Sequence, residues 1–224
     1  MKRPVLNQAM EDYLKVIYTV LEAKEWATTS DIAKDMGISS PSVTAMIKRL
    51  KEQNLVKYKP YYGVQLSEIG KSAALEIIRH HRLLELYLHK ALAVPWDLVH
   101  AEAEKLEHVL SEEVEERIAQ YLGEPTCDPH GSPIPTKDGR VFNVKSRTLA
   151  SVKSGETVTL LRVNDRIPEF LRFLAKHNLY PGKKIKVINV EPHIELMTLE
   201  IDDNEISLSH KIANDIHVTL SHHR

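Results

Sequence analysis

Apolar positions recur at helical spacing through the first half of the chain and change to short alternating runs in the second. From Gln8 to Ala23, Tyr13, Leu14, Ile17, Tyr18 and Leu21 fall on one face and predict a helix. Thr28-Thr29-Ser30-Asp31 supplies capping residues for a short helix, Ile32–Met36, which Gly37 ends. Ser39-Ser40-Pro41 opens a third helix that carries Val43, Met46, Ile47 and Leu50 to about Gln53. Leu55–Tyr58 and Val64–Leu66 alternate around Pro60-Tyr61-Tyr62-Gly63, the pattern of a β-hairpin. A long helix is expected from Ser67 or Glu68 to Ala91, another from Trp96 to Ser111, and a third from Glu112 to Leu122. Residues 123–139 are rich in Pro and Gly without periodicity, and 144–155 read as a linker. Short β-like runs follow at 156–163, 184–190, 196–201 and 205–208, with a helix inserted at 167–177 and a turn at Pro181-Gly182; together they suggest a small β-barrel.

The fold class is therefore mainly α with a small C-terminal β domain. Two short helices joined at Met36–Ser39, then a hairpin, form a winged helix-turn-helix. Its second helix offers small polar residues at the start (Ser39, Ser40, Pro41, Ser42, Thr44), suited to the major groove, and Lys48, Arg49 and Lys51 further along, suited to phosphate. The hairpin adds Lys57, Lys59 and Tyr61 for backbone contact. The bland alternative is a trihelical packing module with solubilising lysines.

Charge separates along the chain although the net formal charge is only −1. Residues 45–61 carry a net +4, whereas residues 100–124 carry a net −6. One block suits a polyanion, the other cations. The 224 residues can bury a real core, and no apolar run approaches the roughly 18–20 residues of a membrane helix. The N-terminus lacks the apolar core of a signal peptide. A single cysteine, Cys127, allows no internal disulfide and fits a reducing cytoplasm, so a metal site would rest on nitrogen and oxygen ligands.

Candidate ligands cluster in the acidic block. On a helix running from Trp96, Glu104, Glu107 and His108 stand at i, i+3 and i+4 and project from one face, with His100 a turn earlier. Carboxylates crowded in this way repel unless a cation sits among them. Two carboxylates and an imidazole suit manganese or ferrous iron better than a thiolate-preferring metal. His81 and Glu85 share a face of the preceding helix, and Asp12 is an acid beside the apolar face of the first. Cys127 and His130 are loop candidates. Each alone is also compatible with a solvated helix face or surface loop.

Taken together, the chain resembles the diphtheria-toxin-repressor family, including its manganese-responsive branch. The resemblance covers nearly the whole chain and rests on Met10-Glu11-Asp12-Tyr13-Leu14, Ser40-Pro41-Ser42-Val43-Thr44, His81-Arg82-Leu83-Leu84-Glu85, Glu107-His108-Val109-Leu110-Ser111 and Pro129-His130-Gly131-Ser132-Pro133-Ile134-Pro135. It implies a winged-helix DNA-binding domain (1–74), a helical dimerisation and metal-binding domain (75–143), a linker (144–155) and an SH3-like barrel (156–224). It further implies a cytoplasmic homodimer that binds a palindromic operator in double-stranded DNA when metal is present, with no membrane and no small-molecule substrate.

The primary site implied is Asp12, Glu104, Glu107 and His108. Iron-type members carry methionine and cysteine where this chain has Asp12 and Glu104, so the resemblance favours Mn(II), with Fe(II) or another divalent metal as the alternative. The second site implied draws on His81, Glu85, His100 and Glu169 or, in streptococcal-type relatives, on Cys127 and His130. Glu169 is one residue out of register, and the Cys127–His130 spacing is one residue longer than in those relatives. Two further departures stand out: small manganese repressors have a glutamate where this chain has Lys15, and the family's base-reading glutamine is Ala45 here.

Two competing functions remain from the residues alone. The Glu/Glu/His set could serve a hydrolytic enzyme, but no zinc-protease motif, phosphate loop or nucleophile string accompanies it. The chain could also be a DNA-binding protein that needs no metal, to which Lys15 lends weight.

Overall fold

A computed structural model describes residues 6–142 and 144–220. The start of the segment read for a signal peptide, residues 1–5, lies outside the described residues. The chain divides into two compact units. The first takes in residues up to His81, with Leu106–Leu110 and Pro135–Arg140; the second takes in Arg82–Lys105, Ser111–Ile134 and the chain from Val141 onward.

In the first unit, α1 (Gln8–Ala23), α2 (Thr29–Met36) and α3 (Ser40–Glu52) precede a hairpin of β1 (Val56–Lys59) and β2 (Gly63–Leu66). The apolar faces predicted from periodicity meet in one core: Leu14 and Ile17 of α1, Ile32 of α2, Val43 and Leu50 of α3, and Leu55 and Val64 of the hairpin are fully buried. Burying a side chain of this size stabilises by roughly 1.5–3 kcal/mol, so the core fixes the angle at which α3 is presented. The helix ends are specified locally. Thr28 and Asp31 form a reciprocal capping box on α2, and Gly37 ends that helix at φ 66°. Gly63, at φ +120°, holds the hairpin against Ala27, where an added Cβ would lie 2.2 Å from the Ala27 carbonyl oxygen. Ala27 and Val64 exchange backbone hydrogen bonds of 3.0 and 2.9 Å, which anchor the wing to the helices.

Helix α4 (Glu68–Leu92) enters both units, the division falling between His81 and Arg82. Helix α5 spans only Val99–Leu106, shorter than the helix expected from Trp96 to Ser111, and α6 (Glu112–Tyr121) follows, capped by Ser111. Residues 107–109 form a turn closed by Val109 N–H donating to the Leu106 carbonyl at 3.1 Å. Glu107 and His108 therefore do not share a helix face with Glu104, which corrects the helical spacing expected for those three. The turn frees the Glu107 carbonyl, which accepts from His80 Nδ1 at 3.2 Å, and carries the Glu107 side chain inward to full burial.

The second unit is built on a six-stranded sheet: β3 (Arg147–Thr148), β4 (Thr157–Val163), β5 (Lys184–Glu191), β6 (Leu196–Ile201), β7 (Asn204–Ser209) and β8 (Ile216–Leu220), in the order β3-β8-β4-β5-β6-β7. All of its pairings are antiparallel. Helices α7 (Pro168–Lys176) and α8 (His210–Asn214) complete it. Buried Leu160, Leu171, Leu174, Ile185, Val187, Leu199 and Val218 fill its core, joined by Trp96. The small β domain expected is present as this sheet, which does not close into a barrel: β3 and β7 are its edges, and among the described residues no pairing joins them. Closure needs a tilted, staggered ladder around the full circumference, and β3 is only two residues long. Three elements, β3, α8 and β8, were not among those expected; β3 forms within the stretch read as a linker. Among the described residues, no helix is long and apolar enough to cross a membrane.

Candidate metal centres and nucleic-acid interface

Two clusters of ligand-type side chains form, one in each unit. In the first, α1 supplies Glu11 and Asp12, and the turn after α5 supplies Glu107 and His108 from about 95 residues along the chain. Asp12, Glu107 and His108 each place one ligand atom within 4.8 Å of the others. His108 Nδ1 donates to Glu11 Oε2 at 2.7 Å, which turns the other ring nitrogen, Nε2, toward Asp12 and Glu107. That nitrogen is buried without a hydrogen-bond partner, 2.9 Å from Asp12 Oδ1 and 3.4 Å from Glu107 Oε1. A carboxylate that holds the far nitrogen of a histidine is the usual support behind a metal-ligating imidazole. Two carboxylate oxygens and one imidazole nitrogen, with no sulfur, make a hard-to-borderline donor set that fits a divalent cation.

Glu107 is the most enclosed member. Lys15 Nζ donates to its Oε1 at 2.6 Å, and His81 Nδ1 donates to Oε2. Glu11, His80, Glu107 and His108 also line a cavity of about 600 Å³ whose remaining walls include Leu6, Ile69, Ile77 and Leu110. Glu104 lies in α5 in the second unit, its Oε1 3.8 Å from His100 Nε2.

The second cluster centres on Glu85 of α4, which is fully buried. His100 of α5 donates from Nδ1 to Glu85 Oε1 at 3.1 Å. His130 stacks on Trp96 and donates from Nε2 to the Trp96 carbonyl at 3.0 Å. Its Nδ1 is buried without a hydrogen-bond partner, 3.8 Å from Glu85 Oε2 and 3.9 Å from Asp165 Oδ2. Two overlapping groups result: Glu85, Asp128 and His130, all buried, and Glu85, His100 and Asp165.

The loop that carries His130 is organised by Asp128, whose Oδ1 accepts from the backbone N–H groups of His130 (2.8 Å) and Ser132 (3.0 Å). Arg82 binds the Pro133 carbonyl and lies 3.8 Å from Asp128 Oδ2. Gly131, at φ +89°, lets the loop reach β4, where an added Cβ would lie 2.0 Å from the Leu161 oxygen, and Val163 N–H donates to the His130 carbonyl at 3.0 Å.

Protonation follows from this enclosure. Burial, and then neighbouring Glu85, push Asp128 up to about 7 against the pull of Arg82. Burial works to lower the His130 pKa, but Glu85, Asp165 and Asp128 outweigh it and bring the ring to about 9. A cation entering this cluster takes the place of protons.

Of the residues singled out from sequence, Asp12, Glu107 and His108 come together in the first unit, and Glu85, His100 and His130 in the second. His81 lies on Glu107. Cys127 is exposed, and partial burial of its thiol with the charge of Asp128 pushes its pKa up, which disfavours the thiolate. Glu169 is 76% exposed and paired with Arg172 at 2.8 Å, outside either cluster. Sequence reading missed Glu11 as the orienting partner of His108, and missed Asp128 and Asp165. Asp128 lay within the quoted loop motif, but nothing local marked it as buried; Asp165 follows β4 with no signal at all.

The nucleic-acid candidates are exposed on α3 and the wing. Ser39, Ser40, Pro41, Ser42 and Thr44 at the start of α3, then Lys48, Arg49 and Lys51, are all exposed. Lys57, Lys59 and Tyr61 are exposed on the wing, Tyr61 fully and at φ 68°. Lys59 lies over the Tyr62 ring at 3.8 Å and within 5.6 Å of Trp26, which holds the ammonium at the wing tip.

Comparison with known proteins agrees with this layout. Residues 5–64 match the family model "Iron dependent repressor, N-terminal DNA binding domain", residues 67–136 match "Iron dependent repressor, metal binding and dimerisation domain", and residues 147–220 match the FeoA domain. The diphtheria toxin repressor of Corynebacterium jeikeium is 30% identical over 167 residues, covering 73% of this chain and 70% of that protein. The iron-dependent repressor IdeR of Mycobacterium leprae is 29% identical over 226 residues, covering 95% of this chain and 97% of that one. A solved manganese-dependent transcriptional repressor in complex with manganese superposes with a TM-score of 0.88 at 35% identity, covering 94% of this chain and 99% of that chain.

Proposed function

The chain belongs to the iron-dependent, or diphtheria-toxin, repressor family of DNA-binding regulators rather than enzymes, and on that premise we propose that it is a homodimeric repressor of metal-homeostasis genes activated by Mn(II). The observation that carries this is the His108 imidazole: Glu11 holds one of its nitrogens, and the other is buried facing Asp12 and Glu107. A divalent cation bound there would neutralise the mutual repulsion of the carboxylates. Asp12 would then tie α1, and with it the winged helix, to the turn after α5. Glu104 joins this ligand set on its sequence motif alone. Glu85, His100, His130 and Asp165 form the second site in this proposal, with Asp128 shaping the loop.

The same premise carries the domain limits set out above: DNA binding to residue 74, dimerisation and metal binding to 143, and the SH3-like domain from 156. With α3 in the major groove and the wing along the backbone, two subunits would read half-sites about 34 Å apart, or a multiple of that, in a palindromic operator. Metal and DNA must tighten one another by the same factor.

Manganese is favoured over iron because the ligand atoms gathered in the first cluster are two carboxylate oxygens and an imidazole nitrogen. The iron-dependent relatives support an Fe(II)-responsive repressor as the second possibility. The deciding experiment is operator binding across a panel of divalent metals at matched free concentration and fixed salt, since salt alone changes affinity strongly. Mn(II) is expected to activate the native protein and not Glu107→Ala. Equal metal dependence in the two proteins would remove the site from the mechanism, and activation by Fe(II) far below the Mn(II) concentration would remove the metal assignment.

A further inference from the structure

Lys15 stands inside the first cluster without offering a ligand atom. Its side chain is 16% exposed, and its ammonium lies 2.6 Å from Glu107 Oε1, the oxygen that also faces His108 Nε2. The other oxygen of Glu107 is held by His81. A fully buried carboxylate is costly unless charge and hydrogen bonds compensate it, and here one compensating charge belongs to the chain itself.

We propose that Lys15 is a tethered cation that competes with the activating metal for Glu107, and so sets the metal concentration at which the protein responds. The proposal rests on the metal-centre reading above. When a divalent cation binds that oxygen, an ammonium 2.6 Å away is repelled by it and loses part of the carboxylate charge it was paired with. A lysine can withdraw on its flexible four-carbon stem toward the solvent it already reaches. Metal affinity is therefore reduced by whatever the Lys15–Glu107 pair contributes. That pair also bridges α1 and the turn after α5 before any metal enters, so the metal exchanges one link between these segments for another.

The test is direct Mn(II) binding, read as free Mn(II) by electron paramagnetic resonance on the full-length protein, alongside thermal unfolding with and without Mn(II). Lys15→Met, which keeps the stem and removes the charge, should bind Mn(II) about tenfold tighter at the Glu107-dependent site. It should also unfold at lower temperature without metal and show a larger Mn(II)-induced shift. Lys15→Arg should return the affinity to near the native value. Lys24→Met, which removes an exposed lysine from the end of the same helix, should leave it unchanged and so controls for net charge. Should Lys15→Met fail to fold, Lys15→Gln is read in its place. Unchanged or weaker Mn(II) binding in the uncharged variant, with Glu107→Ala still abolishing it, overturns the competition and leaves the metal centre standing. Native binding that survives Glu107→Ala overturns both.

Discussion

The two clusters use the same donor chemistry but are prepared for a cation differently. In the first unit, side chains hold the candidate ligands: Lys15 and His81 hold Glu107, and Glu11 holds His108. In the second unit, Glu85, Asp128 and His130 are enclosed with Arg82 3.8 Å from Asp128, and protons carry part of the balance, with Asp128 raised to about 7 and His130 to about 9. The first arrangement draws its members from α1 and from a turn some 95 residues later, so a cation bound there would bear on how α1 is held. The second gathers around the loop and β4. Similar ligands can therefore report on different parts of one chain.

The sharpest way to break this contrast is to delete one candidate ligand from each cluster. Glu107→Ala removes the buried carboxylate that Lys15 and His81 bond, so it should cost about 1–3 kcal/mol in metal-free denaturation and abolish metal-activated operator binding. Alanine in place of His130 removes a buried ring stacked on Trp96 and should cost about 2–4 kcal/mol, a range borrowed from large-to-small core substitutions. That variant should lose Mn(II) bound to the second unit while keeping operator affinity at saturating metal within about tenfold, by the usual range of coupling between sites. A collapse of operator binding equal to that of Glu107→Ala would erase the distinction between the clusters.

Smaller effects sharpen it. Gly63→Ala forces a Cβ to 2.2 Å from the Ala27 oxygen at a φ that disfavours any side chain, and should cost about 1–3 kcal/mol. Its effect on DNA affinity should exceed its effect on Mn(II) affinity, because it shifts the wing and not the ligands; equal losses would mean the wing and the first cluster move together. Smallest is Thr28→Ala, which removes the α2 cap at about 1 kcal/mol. Asp31 has its pKa lowered by hydrogen bonds from Lys24 and Thr28. Its contribution is therefore present above the ordinary carboxylate pKa and is lost as pH falls through the lower folded value. In Thr28→Ala the acid limb of the stability curve should flatten, as followed by denaturant unfolding from pH 5 to 2.

Much of the architecture was legible because it is local. Periodicity located α1, α3 and α4; the Thr28-to-Asp31 run marked a helix start through its capping box and Ser39-Ser40-Pro41 through the proline in its first turn, without a side-chain cap, since both signals span only three or four residues. The basic, polar face of α3 and the wing needed only composition and spacing. Strand β8 escaped notice although Ile216 and Val218 alternate, because that short run gains its meaning only by pairing with β4. The small β domain expected from spaced strands does not close into a barrel because closure depends on register between strands far apart in sequence.

By itself the sequence determined the helical winged module, its charged surface and the residue types able to hold a hard cation. Tertiary structure decided which of them meet. Helical spacing grouped Glu104 with Glu107 and His108, but the chain leaves the helix after Leu106, and it is packing against α1 that brings Glu107 and His108 to Glu11, Asp12 and Lys15. Burial raised the Asp128 pKa, the carboxylates of Glu85, Asp165 and Asp128 raised that of His130 against its burial, and Cys127 stayed outside; nothing in their spacing foretold it. The physical reason is range: capping and periodicity act over a few residues, whereas desolvation and ion pairing depend on neighbours that only the folded chain supplies.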